Sequence, residues 1–522
     1  MKTSRTLWIS LLVLPLAAGC ESDSSDSGGG DGGAIGSAGT GGSTDTGGTT
    51  STGGSTDTGG AAGSGGSGGS TDTGGTSGSA GSTETGGAAG SGGSTDTGGT
   101  SGSAGSTDTG GTAGSGGSGG DEAPPTTVAG FGVSACAALG AVPGDATVVG
   151  PGDDVADAIA LASPGDTVAL QDGTYSVPSG GYRFDTNGVT LRSVSGNPEA
   201  VILDGQWGAD EILRMYASDV TIGELTLTQA VHHLAHVSSG TEGVNSTGNR
   251  FYRVRFIDGG QQFLKANSSF DYSTWADRGV VECSDFVMTD SGREHVSDCY
   301  TGGIDTHGGR DWIVRNDYFE GIWCEVGIAE HAVHFWSRAR DTLVENNLII
   351  NCARGIGFGL GSEPSGGGRD YADADPSWST LQHVGGIARN NVIWSTNHRY
   401  DTGIEIQRTL GARVLHNTVL SREASATGRY SSIDYRYAST TVDLVNNLVW
   451  RITVRDGGQA SLDGNIEGAD ETWLEDVDGG NFHLRETATT AIDSGVADAD
   501  GGVDIDGEPH TNGAPDVGAD ER

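Results

Sequence analysis

Leu343-Val344-Glu345-Asn346-Asn347-Leu348-Ile349 sets two apolar residues, a polar one, an Asn pair and two more apolar residues in a row. The same order stands at Ile313-Val314-Arg315-Asn316-Asp317-Tyr318-Phe319 and at Ile387-Ala388-Arg389-Asn390-Asn391-Val392-Ile393. It returns as Val414-Leu415-His416-Asn417-Thr418-Val419 and as Leu444-Val445-Asn446-Asn447-Leu448-Val449. Counted on Asn316, Asn346, Asn390, Asn417 and Asn446, the steps are 30, 44, 27 and 29 residues. Recurrence every 20–50 residues, with one short strand set per repeat, means stacked coils. Stacked Asn amides can bond to one another along such a stack. Helical repeats fit poorly, because the apolar residues alternate or run in short blocks and Thr, Val, Ile and Gly dominate.

Working outward, the chain divides into four parts. Residues 126–470 carry the coils, an all-β solenoid. Its open end needs a cover, since a bare apolar core and strand edge would meet water. Asp153–Ala162 supplies one as a short helix: Asp153 or Asp154 caps it, and Val155, Ile159 and Leu161 give it an apolar side. Pro164-Gly165-Asp166-Thr167-Val168-Ala169-Leu170 then turns into a first strand that ends at Gly173-Thr174-Tyr175. The cap, this turn and the Asn-bearing coils together resemble the secreted right-handed parallel β-helix proteins of the pectate-lyase-like superfamily. The resemblance implies a right-handed, single-stranded β-helix. It does not select an activity, because that fold hosts lyases, hydrolases, epimerases and non-catalytic spikes. Residues 471–522, with Ala491-Ile492-Asp493-Ser494-Gly495 and Asp516-Val517-Gly518-Ala519-Asp520-Glu521, resemble the acidic closing segment of such bacterial proteins. There Asp498, Asp500, Asp504 and Asp506 are either acidic surface turns or ligands of a structural calcium ion.

The N-terminal quarter is different in kind. Lys2 and Arg5 precede the apolar Leu7–Leu16, and Ala17-Ala18-Gly19-Cys20 follows. This reads as an export signal over residues 1–19. It resembles a bacterial lipobox, which implies lipid on Cys20 and an anchor that does not span the membrane. Residues 20–125 repeat Ser-Thr-Asp/Glu-Thr-Gly-Gly from Ser43, Ser55, Ser70, Ser82, Ser94 and Ser106. The repeat unit has no apolar residue, so this Gly/Ser/Thr-rich stretch is expected to be a disordered tether. The expected location is the bacterial outer membrane or cell surface, with the lipid anchor as membrane partner. With 28 Lys+Arg against 69 Asp+Glu and a net charge of −41, the chain lacks the basic face that a nucleic acid requires.

A second strand recurs alongside the Asn motif: Leu264-Lys265-Ala266-Asn267, Ile304-Asp305-Thr306-His307, Val333-His334-Phe335-Trp336, Ile356-Gly357-Phe358-Gly359, Ile404-Glu405-Ile406-Gln407 and Ile433-Asp434-Tyr435-Arg436. Alternation turns Ile304, Val333, Ile356, Ile404 and Ile433 inward. Lys265, Asp305, His334, Gly357, Glu405 and Asp434 then form one outward column, with His307, Trp336, Gly359, Gln407 and Arg436 beside it. Lys265 is the only Lys beyond Lys2. Gly357 and Gly359 are expected to leave a notch. The Gly-rich interruption between Gly361 and Gly386 carries Arg369, Tyr371 and Trp378 and reads as a lid or cleft wall. Arg338, Arg340 and Arg408 follow the strands, where they would face an anionic substrate. Trp336 would stack on a sugar ring or pack under the insertion.

These residues serve three functional readings, each with a polysaccharide as partner. β-Elimination from a uronate polymer needs a base, a group that neutralises the carboxylate, and an acid. Lys265 or His334 is the base, Arg338 or a cation the neutraliser and His307 the acid. A glycoside hydrolase needs two carboxylates, for which Asp305, Glu405 and Asp434 are present. A glycan-binding adhesin needs neither. The ordinary alternatives are solvated histidines, a turn-ordering Asp305, an exposed Lys265, and surface ion pairs of Glu405 and Asp434 with Arg408 and Arg436. A metal on Asp305, His307 and His334, or on His232, His233 and His236, is weighed beside them. No Ser- or Cys-centred triad motif is present. Among the cysteines, Cys299 with Cys324 is the preferred disulfide, and the odd number left after Cys20 implies a free thiol.

Overall fold

A computed structural model describes residues 130–239, 244–269, 273–296, 298–364, 369–422, 431–510 and 513–522. Residues 1–129, with the expected signal, Cys20 and tether, lie outside the described residues. Coils turn from their first to their second strand on a left-handed residue. Asn316, Asn346, Asn390, His416 and Asn446 have φ between 50° and 57°, a region open to few side chains, Asn foremost. That residue bends the chain from a strand such as Ile313–Arg315 into one such as Tyr318–Glu320. A longer loop leads to a third strand, His331–Trp336, before the next coil opens at Leu343–Glu345. Strands in these three positions stack as parallel sheets of fourteen, eleven and ten strands, in that order along each coil. The fold is an all-β parallel β-helix. Among the described residues no helix is long and apolar enough to cross a membrane.

The residue after the bend is buried and builds the ladder. Asn347 Nδ2 donates to Asn391 Oδ1 (2.9 Å), Asn391 to Asn417 (2.9 Å), Asn417 to Asn447 (3.0 Å) and Asn447 to Asn465 (2.8 Å). Each of these amides also donates to a main-chain carbonyl, as Asn347 does to Val314 O at 3.1 Å. The ladder corrects the alignment read from the motifs. Asn417 stacks with the second Asn of each pair, and His416 takes the left-handed place, so the steps are 44, 26 and 30 residues from Asn347. Inside, Phe256, Phe286 and Phe319 pile up at 4.4 and 4.7 Å between ring centres, in register on the second sheet.

Both termini of the described chain run along the same bent edge. Cys136 is bonded to Cys283, and Leu139 N donates to Glu224 Oε1 at 2.6 Å. From the other end, the side chains of Asn346, Asn390 and Asn446 donate to the carbonyls of Val503, Gly501 and Val496. The two residues of an Asn pair thus do separate work: one joins coils, the other holds the tail. The four tail aspartates do not converge on an ion site. Asp498 and Asp500 pair with Arg413, and the buried Asp504 accepts the main-chain N–H groups of Asp506, Glu508 and Glu521. The capping helix α1 spans Val155–Leu161, with Asp154 as its cap. Val155 and Ile159 are buried, but Leu161 is 83% exposed. Six residues on from Val155, it has rotated to the far side of the helix. The expected single first strand is two, Thr167–Leu170 and Gly173–Ser176, on different sheets, and Thr147–Val149 precedes both. The Cys299–Cys324 disulfide is present, and Cys352 is a buried free thiol whose pKa burial pushes up to about 12.

Asp317 stands in the ladder where later coils have Asn. Its Oδ1 accepts from Ser284 N at 2.7 Å, while its buried Oδ2 makes no hydrogen bond. Burial, with Glu282 and Asp285 nearby, holds its pKa well above the usual carboxylate range. A raised carboxyl stabilises fully below the unfolded-state value near 3.9, and that stability is lost as pH rises towards the folded-state value. Asp317→Asn is therefore expected to raise stability at pH 7 by about 1–2 kcal/mol and to leave it unchanged near pH 3. Urea unfolding midpoints measured across pH check this.

Candidate functional site

Strand register brings the expected column together. On the third sheet Lys265 pairs with Asp305, Asp305 with His334, His334 with Gly357, Gly357 with Glu405 and Glu405 with Asp434. Towards the N-terminus the column continues through His236, Arg214 and Arg183. Their neighbours Leu264, Ile304, Val333, Ile356, Ile404 and Ile433 fill the core. The column does not lie open to solvent as expected: Lys265, Asp305, His334, Glu405 and Asp434 are all buried. Tyr300 and Glu330, on loops tied together by Cys299–Cys324, reach this face, as does Trp336 from the adjoining column.

Lys265 is the centre of one group. Its ammonium bonds to Asp305 Oδ2, to His307 Nε2 at 2.8 Å and to Tyr300 Oη at 3.3 Å. Burial pulls the Lys265 pKa down, but Asp305 and Tyr300 outweigh it and hold the value above that of an ordinary lysine. Asp305 is likewise held well below the usual range: burial opposes ionisation, and Lys265, His307 and His334 together overcome it. His307 is lowered to about 4 by burial and by the adjacent ammonium. The pair therefore presents a charged lysine against a neutral imidazole. Lys265 is no ready base, contrary to the sequence expectation. A metal on Asp305, His307 and His334 is also disfavoured, since the ammonium already lies between Asp305 and His307.

A second group surrounds His334. Its Nε2 donates to Gly359 O (2.8 Å), and its ring is buried out of reach of the surface. His331, which the sequence reading missed, lies beside it with ring centres 4.5 Å apart and bonds to Glu405 Oε2 at 3.1 Å. Gly357 leaves no vacant notch, because a Cβ there would meet the His331 ring at 2.7 Å. Strict alternation would turn His331 inward with Val333. Ala332 and Val333 both enter the core, so the strand breaks its alternation there and turns His331 outward. Burial pushes His331 down to about 4. Glu405 is held below the usual range, with Arg354 and His331 outweighing burial, whereas burial lifts Asp434 to about 6 despite Arg455. Arg354 lies against Glu405 and Arg455 against Asp434, and Arg436 also acts on both carboxylates, whereas Arg408 turns to the insertion.

The remaining expectations are redistributed. Arg338 donates to Arg369 O (3.2 Å), Asp370 (2.5 Å) and Ser379 O (2.8 Å). Arg340 pairs with Asp341 and Asp373. Arg408 donates to Gly361 O at 2.7 Å and lies over the Tyr437 ring, and Arg436 pairs with Asp456. Arg338, Arg340 and Arg408 thus pin the insertion or its margins. Arg369 anchors the insertion from within, on both oxygens of Asp277 at 2.6 and 2.9 Å. Trp336 donates its indole N–H to Asp305 Oδ1 (2.7 Å) and meets His307 edge-on at 4.1 Å. It walls the network on this side. His232, His233 and His236 bind Asp210, Gln262 O and Glu211 separately and form no shared metal site.

No family model and no curated protein matches this chain. Solved structures do. A pectate lyase, Pel9A, is similar over 72% of this chain and 96% of its own, at 13% identity and a TM-score of 0.41. The tailspike protein of E. coli bacteriophage HK620 is similar over 59% of this chain and 55% of its own, at 11% identity and a TM-score of 0.41. PfbA, a surface adhesin of Streptococcus pneumoniae, is similar over 61% of this chain and 91% of its own, at 11% identity and a TM-score of 0.36. The chemistry of the face rests on this chain's own residues.

Removing one partner of a buried ion pair leaves the other uncompensated, at a cost of about 3–5 kcal/mol. Lys265→Met is expected to lose that much. Lys265→Met with Asp305→Asn, which removes both charges, is expected to recover most of it. Denaturant unfolding of the two variants measures the difference.

Proposed function

We propose that this chain is a polysaccharide-active β-helix protein that cleaves a uronate-containing glycan by β-elimination where Lys265, His307 and Tyr300 meet. One observation carries the reading: a lysine held charged lies 2.8 Å from a neutral imidazole and 3.3 Å from a phenol. Elimination next to a carboxylate needs those three functions. Lys265 offsets the charge that builds on the substrate carboxylate as the adjacent C–H bond breaks. His307, with a quarter of its side chain exposed, takes that proton on Nε2 as the Lys265 ammonium, which bonds to that nitrogen at 2.8 Å, turns to the substrate carboxylate. Tyr300, half-buried at the same edge, returns a proton to the glycosidic oxygen as the C–O bond breaks and the C=C bond forms. These roles revise the sequence expectation, in which Lys265 or His334 was the base and His307 the acid. A charged lysine has no lone pair to take a proton, and His334 is buried beneath the edge where Tyr300 and His307 meet solvent. The hydrolase reading is weaker, because Glu405 and Asp434 are buried against cations. The reading includes the lipid anchor on Cys20 and a position at the bacterial outer membrane or cell surface.

The test is ultraviolet absorbance of unsaturated products when the purified protein meets a panel of uronate polymers. His307→Gln and Tyr300→Phe are each expected to lower kcat by about 10²–10⁴ while oligosaccharide binding persists. New reducing ends without absorbance would replace elimination with hydrolysis. Binding without either product would make the chain a glycan-binding adhesin. Cys20→Ala is expected to move the protein from the membrane fraction to the soluble one, as immunoblotting of the fractions reads.

A further inference from the structure

The group around His334 has no part in that reaction, and its hydrogen-bond polarity is unusual. Gly359 O can only accept, so His334 Nε2 carries a proton and, in the neutral ring, Nδ1 presents a lone pair. The same logic holds for His331, whose Nε2 faces the Glu405 carboxylate and whose buried Nδ1 makes no hydrogen bond. The atoms that these two Nδ1 positions face are themselves acceptors. Glu330 Oε2 lies 4.0 Å from His331 Nδ1 and 3.8 Å from His334 Nδ1, and Asp305 Oδ1 lies 3.5 Å from His334 Nδ1. The donor atoms of Glu330, His331 and His334 all fall within 4.8 Å of one another, and all three residues are buried. The unpartnered His331 Nδ1 thus faces a second imidazole nitrogen and a carboxylate oxygen at the centre of a buried cluster.

We propose that Glu330, His331 and His334, with Asp305 on the fourth side, hold one divalent transition-metal ion of the zinc class. Two imidazoles and a carboxylate are the donor set for such an ion. Tetrahedral ligands about 2 Å from a zinc ion lie roughly 3.3 Å from one another, so the separations from Glu330 to the two imidazoles and from Asp305 to His334, 3.5–4.0 Å, need only a small contraction. The outer partners are those that orient ligating histidines elsewhere: a main-chain carbonyl for His334 and a carboxylate for His331. Gly357 belongs to the same construction, since a side chain there would displace the His331 ring. Glu330, His331 and His334 come from the start of one strand and the loop before it, while Asp305 comes from the preceding coil. The ion would therefore join two coils on their outer side. The site shares Asp305 with the Lys265 group but does not depend on the reaction assigned there.

The experiment uses the full-length protein, stripped with a chelator and titrated with Co²⁺ and with Zn²⁺. Metal content, affinity by competition, and the Co²⁺ visible spectrum are measured. The expected result is one ion per chain, with the intense absorption of a tetrahedral Co²⁺ site, displaced by Zn²⁺. Glu330→Gln, His331→Gln and His334→Gln are each expected to weaken binding more than about 100-fold, and the orienting variant Glu405→Gln about 10–100-fold. Asp506→Asn, in the separate His483, Asp506 and Asp520 group, is expected to leave the stoichiometry unchanged. If a variant fails to fold, the wild-type protein still decides: imidazole nitrogen NMR is expected to show two Nδ1 signals shifted by Zn²⁺. Wild-type protein that takes up no stoichiometric ion, or ligand variants that fold and bind as tightly as wild type, would overturn the site.

Discussion

Parallel strands stacked about 4.8 Å apart impose one constraint on everything else in this molecule: a residue's neighbour is the residue one coil away, however long the loop between them. The ladder Asn347, Asn391, Asn417, Asn447 and Asn465 keeps that constraint. Every amide in it bonds to the next and also to a carbonyl, so a slip of one residue would orphan several buried polar groups together. The insertion between Gly361 and Gly386 shows the constraint at work. It lengthens one repeat to 44 residues, yet Leu343 still faces Ile387 and Ile356 still faces Ile404.

A solenoid places its apolar side chains inside and its chemistry on outer faces. Charges there would ordinarily be solvated. Here loops from neighbouring coils fold back over the third sheet, and the column becomes an interior. Burial raises the stakes of every pairing. Lys265 is held by Asp305, Glu405 lies between His331 and Arg354, and Asp434 takes Arg455. The chain is strongly acidic as a whole, yet this face gathers arginine, histidine and its one downstream lysine. The cations arrive singly from strand starts and ends, each opposite a carboxylate.

The left-handed residue at each bend has an equally wide influence. By turning its side chain outward while its successor turns inward, it makes a row of polar groups along one edge of the stack. The strip bearing Cys136 occupies that row at one end and the acidic tail at the other. Arg413 takes Asp498 and Asp500 and main-chain N–H groups take Asp504, so these aspartates do not gather at one point.

The repeat motif, the alternation of the third strand and the capping aspartate were all legible in the linear order of residues, because each depends on local geometry: one bend, a period of two, one N-cap. These locate the β-helix and the column from Lys265 to Asp434. The depth of that column was not legible, since Tyr300 and Glu330 reach over it from loops elsewhere in the chain. Nor were the partners of Arg338 and Arg340, because their long side chains reach loop residues over thirty positions away. His331 escaped notice because alternation breaks at Ala332, a bend with no mark in sequence. Sequence by itself determined which residues share a face, as a parallel register leaves no other outcome; tertiary structure alone decided which of them touch, because loops answer to packing and charge and not to a period.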